Sequence, residues 1–464
     1  MGSLAEWAPR LQAHFGNAVV DKSMLTHVVP GLPAFISESI LCQYLSESAS
    51  KKEVLRRYQG ALERYVPHGA ARDAWHRRLQ TDGEIAAIAR YRVEVNVERS
   101  ATGHTLKVPV LGINKGTVAD GILEAYPRLL TTGIWGLGKL ALQEDGVRLV
   151  KFHSFVVPQI DMVHYVTGRQ MFTEAEWVDI LTSSLCLNPR SDEPLSRLKL
   201  LRLCRLVPLV QDLVFLAEFG PPGTGKTYLY DQLATHSFVV SGAQATPAQM
   251  FYNLRERQPG LLAQWPCVVL DEIDKVSDRE LSEELVNKLL KYMESGEYDR
   301  GTVQVPSTTS IVFSGNVPRR RGSNGPVFSG MAKKLQHPAF LDRLCGLVPG
   351  DEFPVLGQKH ETMSTDPGFT ADYFSQILLA LRRRKSSIAD RVRMEPGAMV
   401  RDEKAVKRVF EGLVKLVFPD GEASAQDLQK YLDLAVELRQ AVIMEKYALH
   451  HETADFRTLR ARIV

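Results

Sequence analysis

The sequence predicts an α/β fold in which a parallel sheet with crossover helices carries a phosphate-binding loop. An apolar strand at residues 213–219 runs directly into a glycine-rich turn, and two later apolar strands each end in polar residues. Strands alternate with helices from about residue 194 to 348, which is typical of a parallel sheet. A helical lid is expected after this core, and a helical segment and a small β-rich domain are expected before it.

The composition is that of a globular protein with several domains. The chain has 464 residues, 44% apolar and 24% charged, and its net charge of +3 neither requires nor excludes a nucleic-acid partner. Five cysteines without a C-x-x-C pair argue against a zinc site. The most apolar stretch, residues 206–219, is too short and too polar to span a bilayer, and no signal peptide is evident. A cytoplasmic location without a membrane partner is therefore expected.

Hydropathy patterns divide the chain into four segments. Residues 1–84 have mainly helical spacing, and residues 85–165 contain several short strands that predict a small barrel or sandwich, an oligonucleotide-binding barrel being one option. Residues 166–348 comprise a helical connector and the α/β core. Within the connector, Thr173 and Glu176 have the spacing of a capping box. Residues 349–464 return to helical spacing and form the lid.

The phosphate-binding motif has the order strand, G-x-x-x-x-G-K-[ST], helix. Its glycines let backbone N–H groups curl around phosphate oxygens, and the helix N-terminus adds its positive end. Lys226 is expected to reach the β- and γ-phosphates of ATP, and Thr227 is expected to ligate Mg²⁺. The candidate nucleotide-binding residues are Gly220, Pro221, Pro222, Gly223, Thr224, Gly225, Lys226, Thr227 and Tyr228.

Two acidic residues end the next apolar strand. Asp271 and Glu272 follow residues 268–270, at a distance from the phosphate motif that leaves room for one intervening βα unit. Asp271 is expected to hold Mg²⁺ through its water shell, and Glu272 is expected to orient and polarise the attacking water. The sequence therefore predicts ATP and Mg²⁺ as cofactors and ATP hydrolysis as the reaction.

A third strand and a later arginine supply further catalytic candidates. Residues 310–314 lead to Asn316, which could help to place the water beside the γ-phosphate; an asparagine in a turn is the alternative. Arg343 is expected to enter the site of a neighbouring subunit in a ring and to stabilise charge on the γ-phosphate there. A surface ion pair with Asp342 is the alternative for Arg343.

The helical lid is expected to supply a second arginine over the nucleotide. Arg439, in Glu437-Leu438-Arg439, is the preferred candidate, and Arg391 is its rival.

These elements occur in the order of an AAA+ ATPase, and the sequence around them resembles the BrxL family, the Lon-like AAA+ component of BREX phage-defence systems. The likeness covers most of residues 85–440 and is thin in the first eighty residues. Besides the phosphate motif, the residues that carry it are Gly133-Ile134-Trp135, residues 174–177, Glu218-Phe219, Ser241-Gly242, residues 250–253, residues 292–296, Arg300-Gly301, residues 340–343 and Val348-Pro349-Gly350.

The resemblance implies a homo-oligomer, namely a hexameric ring or a stack of two rings, that binds DNA and acts in defence against phage. Other phage-defence proteins are candidate partners. The sequence also resembles replicative-helicase ATPases in carrying a hairpin before the Asn316 strand, at about residues 296–307. In a ring such a hairpin points into the pore, where Tyr298 and Arg300 could stack on bases and contact phosphate. A plain turn with a solvated arginine is the alternative. A basic loop of Arg319, Arg320 and Arg321 either faces DNA or is solvated.

Longer members of that family carry a Lon-protease-like domain after the lid. This sequence stops about 25 residues after Arg439, so no peptidase activity is expected. The leading hypothesis is an ATP-driven ring that encircles DNA or moves along it. The alternatives are a protein-remodelling ring without a peptidase and an ATP-dependent assembly switch.

Overall fold

The chain forms two compact units, one of residues 25–159 and one of residues 1–24 with 160–464. This division is coarser than the four segments expected from the sequence, whose boundaries stay a prediction. The computed structural model describes residues 5–26, 32–47, 50–67, 72–95, 104–130, 133–155, 160–233, 235–242, 245–254, 258–316, 325–356, 363–451 and 456–464.

The chain begins with two short elements of the larger unit, helix α1 (Ala8–Phe15) and strand β1 (Val19–Asp21). The elements of the smaller unit are α2 (Ala34–Glu47), α3 (Lys51–Tyr65), α4 (Arg72–Asp82), β2 (Glu84–Val95), β3 (His104–Val108), β4 (Ile113–Val118), α5 (Ile122–Ala125), β5 (Ile134–Gln143) and β6 (Gly146–Ser154). Its five strands form a closed barrel in the order β2-β3-β4-β6-β5. The neighbours β4 and β6 run parallel, whereas the other neighbouring pairs are antiparallel.

Tyr91 is a buried residue of the barrel core and explains a glycine in the neighbouring strand β5. Its hydroxyl donates to the carbonyl of Ala87 at 2.8 Å, so the buried polar group is satisfied. A Cβ on Gly138 would lie 2.3 Å from the Tyr91 ring, so a side chain at that position would displace the tyrosine. The alternation predicted for this region therefore fills a barrel interior.

The rest of the larger unit mixes helices with short strands. Its helices are α6 (Met162–Arg169), α7 (Glu174–Ser184), α8 (Arg197–Cys204), α9 (Val207–Val210), α10 (Lys226–Tyr228), α11 (Pro247–Met250), α12 (Leu261–Gln264), α13 (Glu283–Ser295), α14 (Pro338–Leu341), α15 (Ala371–Arg383), α16 (Val400–Val417) and α17 (Ala425–Leu449). Its strands are β7 (Phe215–Gly220), β8 (Ser237–Ser241), β9 (Tyr252–Asn253), β10 (Gln258–Pro259), β11 (Cys267–Asp271), β12 (Glu297–Arg300), β13 (Val303–Pro306), β14 (Ser310–Asn316), β15 (Gly346–Pro349), β16 (Pro367–Phe369), β17 (Val392–Met394) and β18 (Ala461–Ile463).

Five of these strands form a parallel sheet in the order β15-β7-β14-β11-β8, which confirms the predicted α/β class with a parallel sheet. Every residue of β7 is buried, as expected for a strand covered on both faces. The register pairs Asn316 with Gly220, so the polar ends of the strands reach the same edge. The site residues expected from the sequence can therefore meet there.

Helix α16 is tied to the predicted connector at its C-terminal end. The carbonyls of Leu416 and Val417 accept hydrogen bonds from the Trp177 indole at 3.1 Å and from the Arg169 guanidinium at 2.7 Å. These side chains satisfy carbonyls that a helix end leaves without a backbone partner. In the same connector Thr173 and Glu176 form the predicted capping box. None of the helices in the described residues combines the length with the hydropathy that a membrane span requires.

Candidate nucleotide site

The glycine-rich turn after β7 forms a loop, called here the cradle (residues 220–227). Gly223 and Gly225 have φ values of 81° and 79°, a left-handed conformation that glycine adopts without steric cost. A Cβ on Gly220 would lie 2.2 Å from the carbonyl carbon of Gly350, so two backbones touch at the start of the cradle. The amide of Leu356 donates to the carbonyl of Gly223 at 2.7 Å and holds the loop from outside.

The ammonium group of Lys226 is held inside the cradle. It donates to the carbonyls of Gly220 and Pro221 at 2.9 and 2.8 Å, and to the side-chain oxygen of Asn316 at 3.1 Å. Burial lowers the pKa of Lys226 from its usual value because the charged form loses hydration. An anion entering the cradle would meet a poorly hydrated cation in a fixed position.

Thr227 and Asp271 meet beside the lysine. The Thr227 hydroxyl donates to Asp271 Oδ2 at 2.7 Å, which joins the start of α10 to the end of β11. No group of three or more His, Cys, Asp or Glu side chains gathers for metal binding in the parts of the chain that the structure describes. A hydroxyl and one carboxylate nevertheless suit Mg²⁺, which takes its other ligands from water and phosphate. The donor set therefore fits Mg²⁺ bound together with a nucleotide.

Asn316 is fixed by a residue that the sequence analysis missed. Its backbone amide donates to Asp274 Oδ1 at 2.8 Å, while its side chain faces Lys226. Asp274 lies three residues after Asp271 in the turn that follows β11. An acidic residue so close to the predicted metal ligand was the available signal.

Glu272 lies next to Asp271 with an unusual backbone. Its φ of 54° is in the left-handed region, which costs a non-glycine residue free energy and is common at functional sites. Its side chain is 41% exposed and forms an ion pair with Lys275. The carboxylate is thus accessible to water at the edge of the sheet that carries the cradle.

A buried ion pair supports the cradle from below, and the sequence analysis also missed it. Arg205 and Glu218 are 5% and 3% exposed and form an ion pair. The Arg205 guanidinium also donates to the carbonyl of Thr224 at 3.1 Å and lies 3.6 Å from the Phe353 ring centroid. The signal for it was Glu218, an acidic residue in an otherwise apolar strand that is buried on both faces.

Arg343 lies at the opposite edge of the sheet. Two residues after it, the amide of Cys345 donates to the carbonyl of Phe215, which begins β7. The cradle begins where β7 ends, about 17 Å further along for a strand of this length. The Arg343 guanidinium lies 3.1 Å from Glu294 at the end of α13 and also donates to the carbonyl of Ala339. The structure therefore does not bring Arg343 to the cradle of its own chain.

The structure corrects the expectation that Arg439 lies over the nucleotide. Its side chain is 0% exposed and pairs with Asp402 at 2.7 Å. It also donates to the carbonyls of Asp342 and Leu344, near the amino end of β15, away from the cradle. All of these contacts join α17 to the segment between α14 and β15 and to α16. The rival, Arg391, donates to the carbonyl of Val464 at 3.2 Å, so neither arginine is brought to the cradle.

Replacing Arg439 with alanine is expected to destabilise the larger unit. The change would leave the buried Asp402 with Arg457 as its remaining cationic partner, at 2.7 Å. Breaking a buried ion pair costs about 3–5 kcal/mol, and Arg457 should keep the loss near the lower figure. Urea denaturation of Arg439→Ala, beside the exposed-site control Arg393→Ala, measures this. Unchanged stability together with weaker ATP binding would instead restore the role over the nucleotide.

The expected hairpin is present as β12 and β13, with a turn at Gly301 and Thr302, whereas its place in a ring pore stays a prediction. Tyr298 is 3% exposed and packs against Phe251 at 5.9 Å between ring centroids, so the expectation that it stacks on bases is corrected. Arg300 is exposed, and its guanidinium lies 4.8 Å from the Tyr252 ring.

Tyr252 belongs to a second small hairpin, β9 with β10, beside the first. The sequence analysis did not assign this hairpin a function. Arg319, Arg320 and Arg321 lie outside the described residues.

Comparisons with known proteins identify the family of the chain. A sequence model of the "Lon-like protease BrxL-like, ATPase domain" matches residues 147–458, and one of the "BREX system Lon protease-like protein BrxL N-terminal" matches residues 13–142. The "Lon-like protease BrxL" of Bacillus cereus (strain H3081.97) is 27% identical over 450 residues, which cover 93% of this chain and 65% of that protein. The protein of the same name from Escherichia coli O9:H4 (strain HS) is 27% identical over 449 residues, covering 93% and 63%.

This chain thus spans less than two thirds of the length of both relatives. Among solved structures, a full-length MCM homolog from Methanopyrus kandleri has a TM-score of 0.44 and 10% identity, with 82% of this chain and 81% of that chain covered. The ATPase-domain match alone extends over well more than half of the sequence, and the chain therefore belongs to the BrxL family.

Proposed function

We propose that the chain hydrolyses ATP as a subunit of a ring, hexameric or doubly stacked, and that the ring acts on DNA in BREX-type defence against phage. The observation that carries the proposal is the meeting of Lys226, Thr227, Asp271 and Asn316 at one edge of the sheet, with Arg343 at the other. The four residues would form most of an ATPase site, whereas Arg343 lies too far away to complete that site within the same chain.

The residues of the cradle would divide the work of hydrolysis. Lys226 would bind the β- and γ-phosphates, and Thr227 with Asp271 would hold Mg²⁺, which neutralises phosphate charge when bound. Glu272, accessible and adjacent to Asp271, would orient the attacking water and take its proton. Asn316, fixed by Asp274, would position that water from the other side.

The position of Arg343 is the reason for proposing a ring. A side chain at the amino end of the strands cannot reach a γ-phosphate at their carboxyl end in the same chain. It can reach the cradle of a neighbour if subunits assemble head to tail, as heterologous interfaces do in closed rings. The site is then complete only between two subunits, so turnover should require assembly.

Arg300 supports DNA as the partner of the ring. It is exposed at the end of β12 and rests on Tyr252 of the adjacent hairpin, which leaves its guanidinium available for phosphate. The closed barrel of the smaller unit has five strands, the same number as barrels that bind oligonucleotides.

Two other side chains favour a second candidate, a ring that remodels proteins. Leu254 and Val303, on the same two hairpins, are 66% and 61% exposed. Apolar tips of this kind suit contact with an unfolded polypeptide.

Replacing Arg300 with alanine should separate these candidates. If Arg300 contacts phosphate, the variant should bind DNA more weakly. The plot of log affinity against log salt concentration should also become less steep by about one unit of slope, because binding releases one counterion fewer. Fluorescence anisotropy with duplex and single-stranded DNA across a salt series measures both. The control is Lys407→Ala, which removes a cation on α16 that pairs with Glu403. DNA binding that is absent or independent of salt, with ATPase activity stimulated by an unfolded polypeptide, would favour protein remodelling.

A further inference from the structure

A cleft beside Arg343 brings together more cations than the proposed function uses. Of the described residues that line it, two are acidic and four are basic. The charged members of this cleft, called here the arginine cleft, are Glu294, Asp342, Arg343, Arg401, Lys404 and Arg408.

Arg343 and Arg401 converge on a single carboxylate oxygen. Their Nη2 atoms lie 3.1 Å and 2.9 Å from the same Glu294 Oε2. Arg343 comes from the segment after α14, Arg401 from the first turn of α16, and Glu294 from the end of α13. Three separate elements therefore bring two guanidiniums to one point.

The position of Arg401 is unfavourable for a purely structural cation. It is the second residue of α16, where the positive end of the helix dipole disfavours a positive side chain. Its side chain is 45% exposed, so it packs little surface. Its neighbour Asp402, by contrast, is fully buried between Arg439 and Arg457. A residue that opposes its local environment for one exposed ion pair, which contributes little stability, is a candidate for function.

The charges of the arginine cleft leave it short of anions. The Asp342 carboxylate is already paired with Lys446 at 2.6 Å, which leaves Glu294 opposite both guanidiniums and near the exposed Lys404. The Nε of Arg343 is buried without a hydrogen-bond partner among the described residues. An incoming group with several negative oxygens would satisfy the two Nη2 groups better than one shared carboxylate does.

We propose that Arg401 acts together with Arg343 on the γ-phosphate held in the cradle of the neighbouring subunit, and that Glu294 holds both guanidiniums ready until that neighbour docks. This inference rests on the proposed ring function. A rigid, planar guanidinium on each side of the phosphate would fix its orientation as well as its charge. Arg401 is then a second residue of each site that comes from the adjacent chain.

Replacing Arg401 with alanine is expected to lower ATP turnover by about 10- to 100-fold, the effect of losing one hydrogen bond to a charged group. Binding of a fluorescent ATP analogue to the cradle should be unchanged. Arg401→Lys should keep part of the activity, since it retains the charge but loses the fork geometry. The matched control is Lys407→Ala on the same helix, which should turn over normally. Normal turnover by Arg401→Ala rings would overturn the inference.

Mixed rings test whether Arg401 acts across the interface. Mixing Arg401→Ala with Lys226→Ala subunits should restore activity, because intact cradles then face neighbours that carry both arginines. Mixing Arg401→Ala with Arg343→Ala subunits should not, because every neighbour lacks one of them. The reverse pattern would show that Arg401 acts within its own chain. If Arg343→Ala mixed with Lys226→Ala gives no recovery, the ring proposal itself fails.

Discussion

Replacing Arg343 with alanine is expected to remove ATP turnover and to leave ATP binding intact. In ATPases and GTPases, an arginine that stabilises the γ-phosphate in the transition state contributes about 10³–10⁵ in rate. Arg343 lies at the edge of the sheet opposite its own cradle, so its loss should not disturb the bound nucleotide. Steady-state phosphate release and equilibrium binding of an ATP analogue measure the two effects separately.

The design of that experiment must separate catalysis from folding. The Arg343 side chain is 15% exposed, and its removal leaves Glu294 with Arg401 as a partner, so the fold should tolerate the change. Circular dichroism and particle size show whether the variant still folds and assembles. Arg343→Lys provides a second variant that keeps the charge. A folded Arg343→Ala ring with normal turnover would contradict the proposed role and would return Arg343 to a surface ion pair.

Replacing Lys226 with alanine is expected to weaken ATP binding by at least about 100-fold, since hydrogen bonds to a charged group contribute about 1.5–3 kcal/mol each and Lys226 would contact two phosphates. The buried ammonium has already lost hydration, so little desolvation opposes phosphate binding. Isothermal titration with ATP and Mg²⁺ measures the loss.

Lys288→Ala is the control for Lys226→Ala, because Lys288 forms an ion pair with Glu284 on the outside of α13. Tight ATP binding by a folded Lys226→Ala protein would show that the cradle is not the nucleotide site. Steady turnover by the unmodified chain would in addition exclude the pure assembly switch.

The proximity of the cradle, Asp271 and Asn316 could be predicted because strand order and register determine where the strands end. Each residue follows an apolar strand, and parallel strands place their carboxyl ends at one edge. A local motif combined with one topological rule was therefore enough. The support beneath the cradle was not predictable in this way. Arg205 and Glu218 are joined by side-chain packing, and no spacing in the sequence indicates which buried carboxylate an arginine will reach.

The errors at Arg439 and Tyr298 have a similar physical origin. Helical spacing identified α17, but it did not determine which face of a long helix turns toward the sheet, and Arg439 lies on that buried face. In the hairpin, Tyr298 and Arg300 are two residues apart and share a face. Tyr298 lies at the base against Phe251, whereas Arg300 lies nearer the turn. How far each hairpin residue is buried depends on the neighbouring β9–β10 pair, which the sequence did not reveal.

The contact between Gly220 and Gly350 has a mechanical consequence. Where side chains separate two segments, rotamer changes absorb small displacements, but here backbone rests on backbone with no room for a methyl group on either side. A movement of the phosphate loop by a fraction of an ångström must therefore displace the residues that follow β15, where the chain leaves the sheet for the C-terminal helices. The contact between the two glycines is therefore rigid. Both positions require glycine because there is no room for a side chain and because the contact transmits movement without yielding.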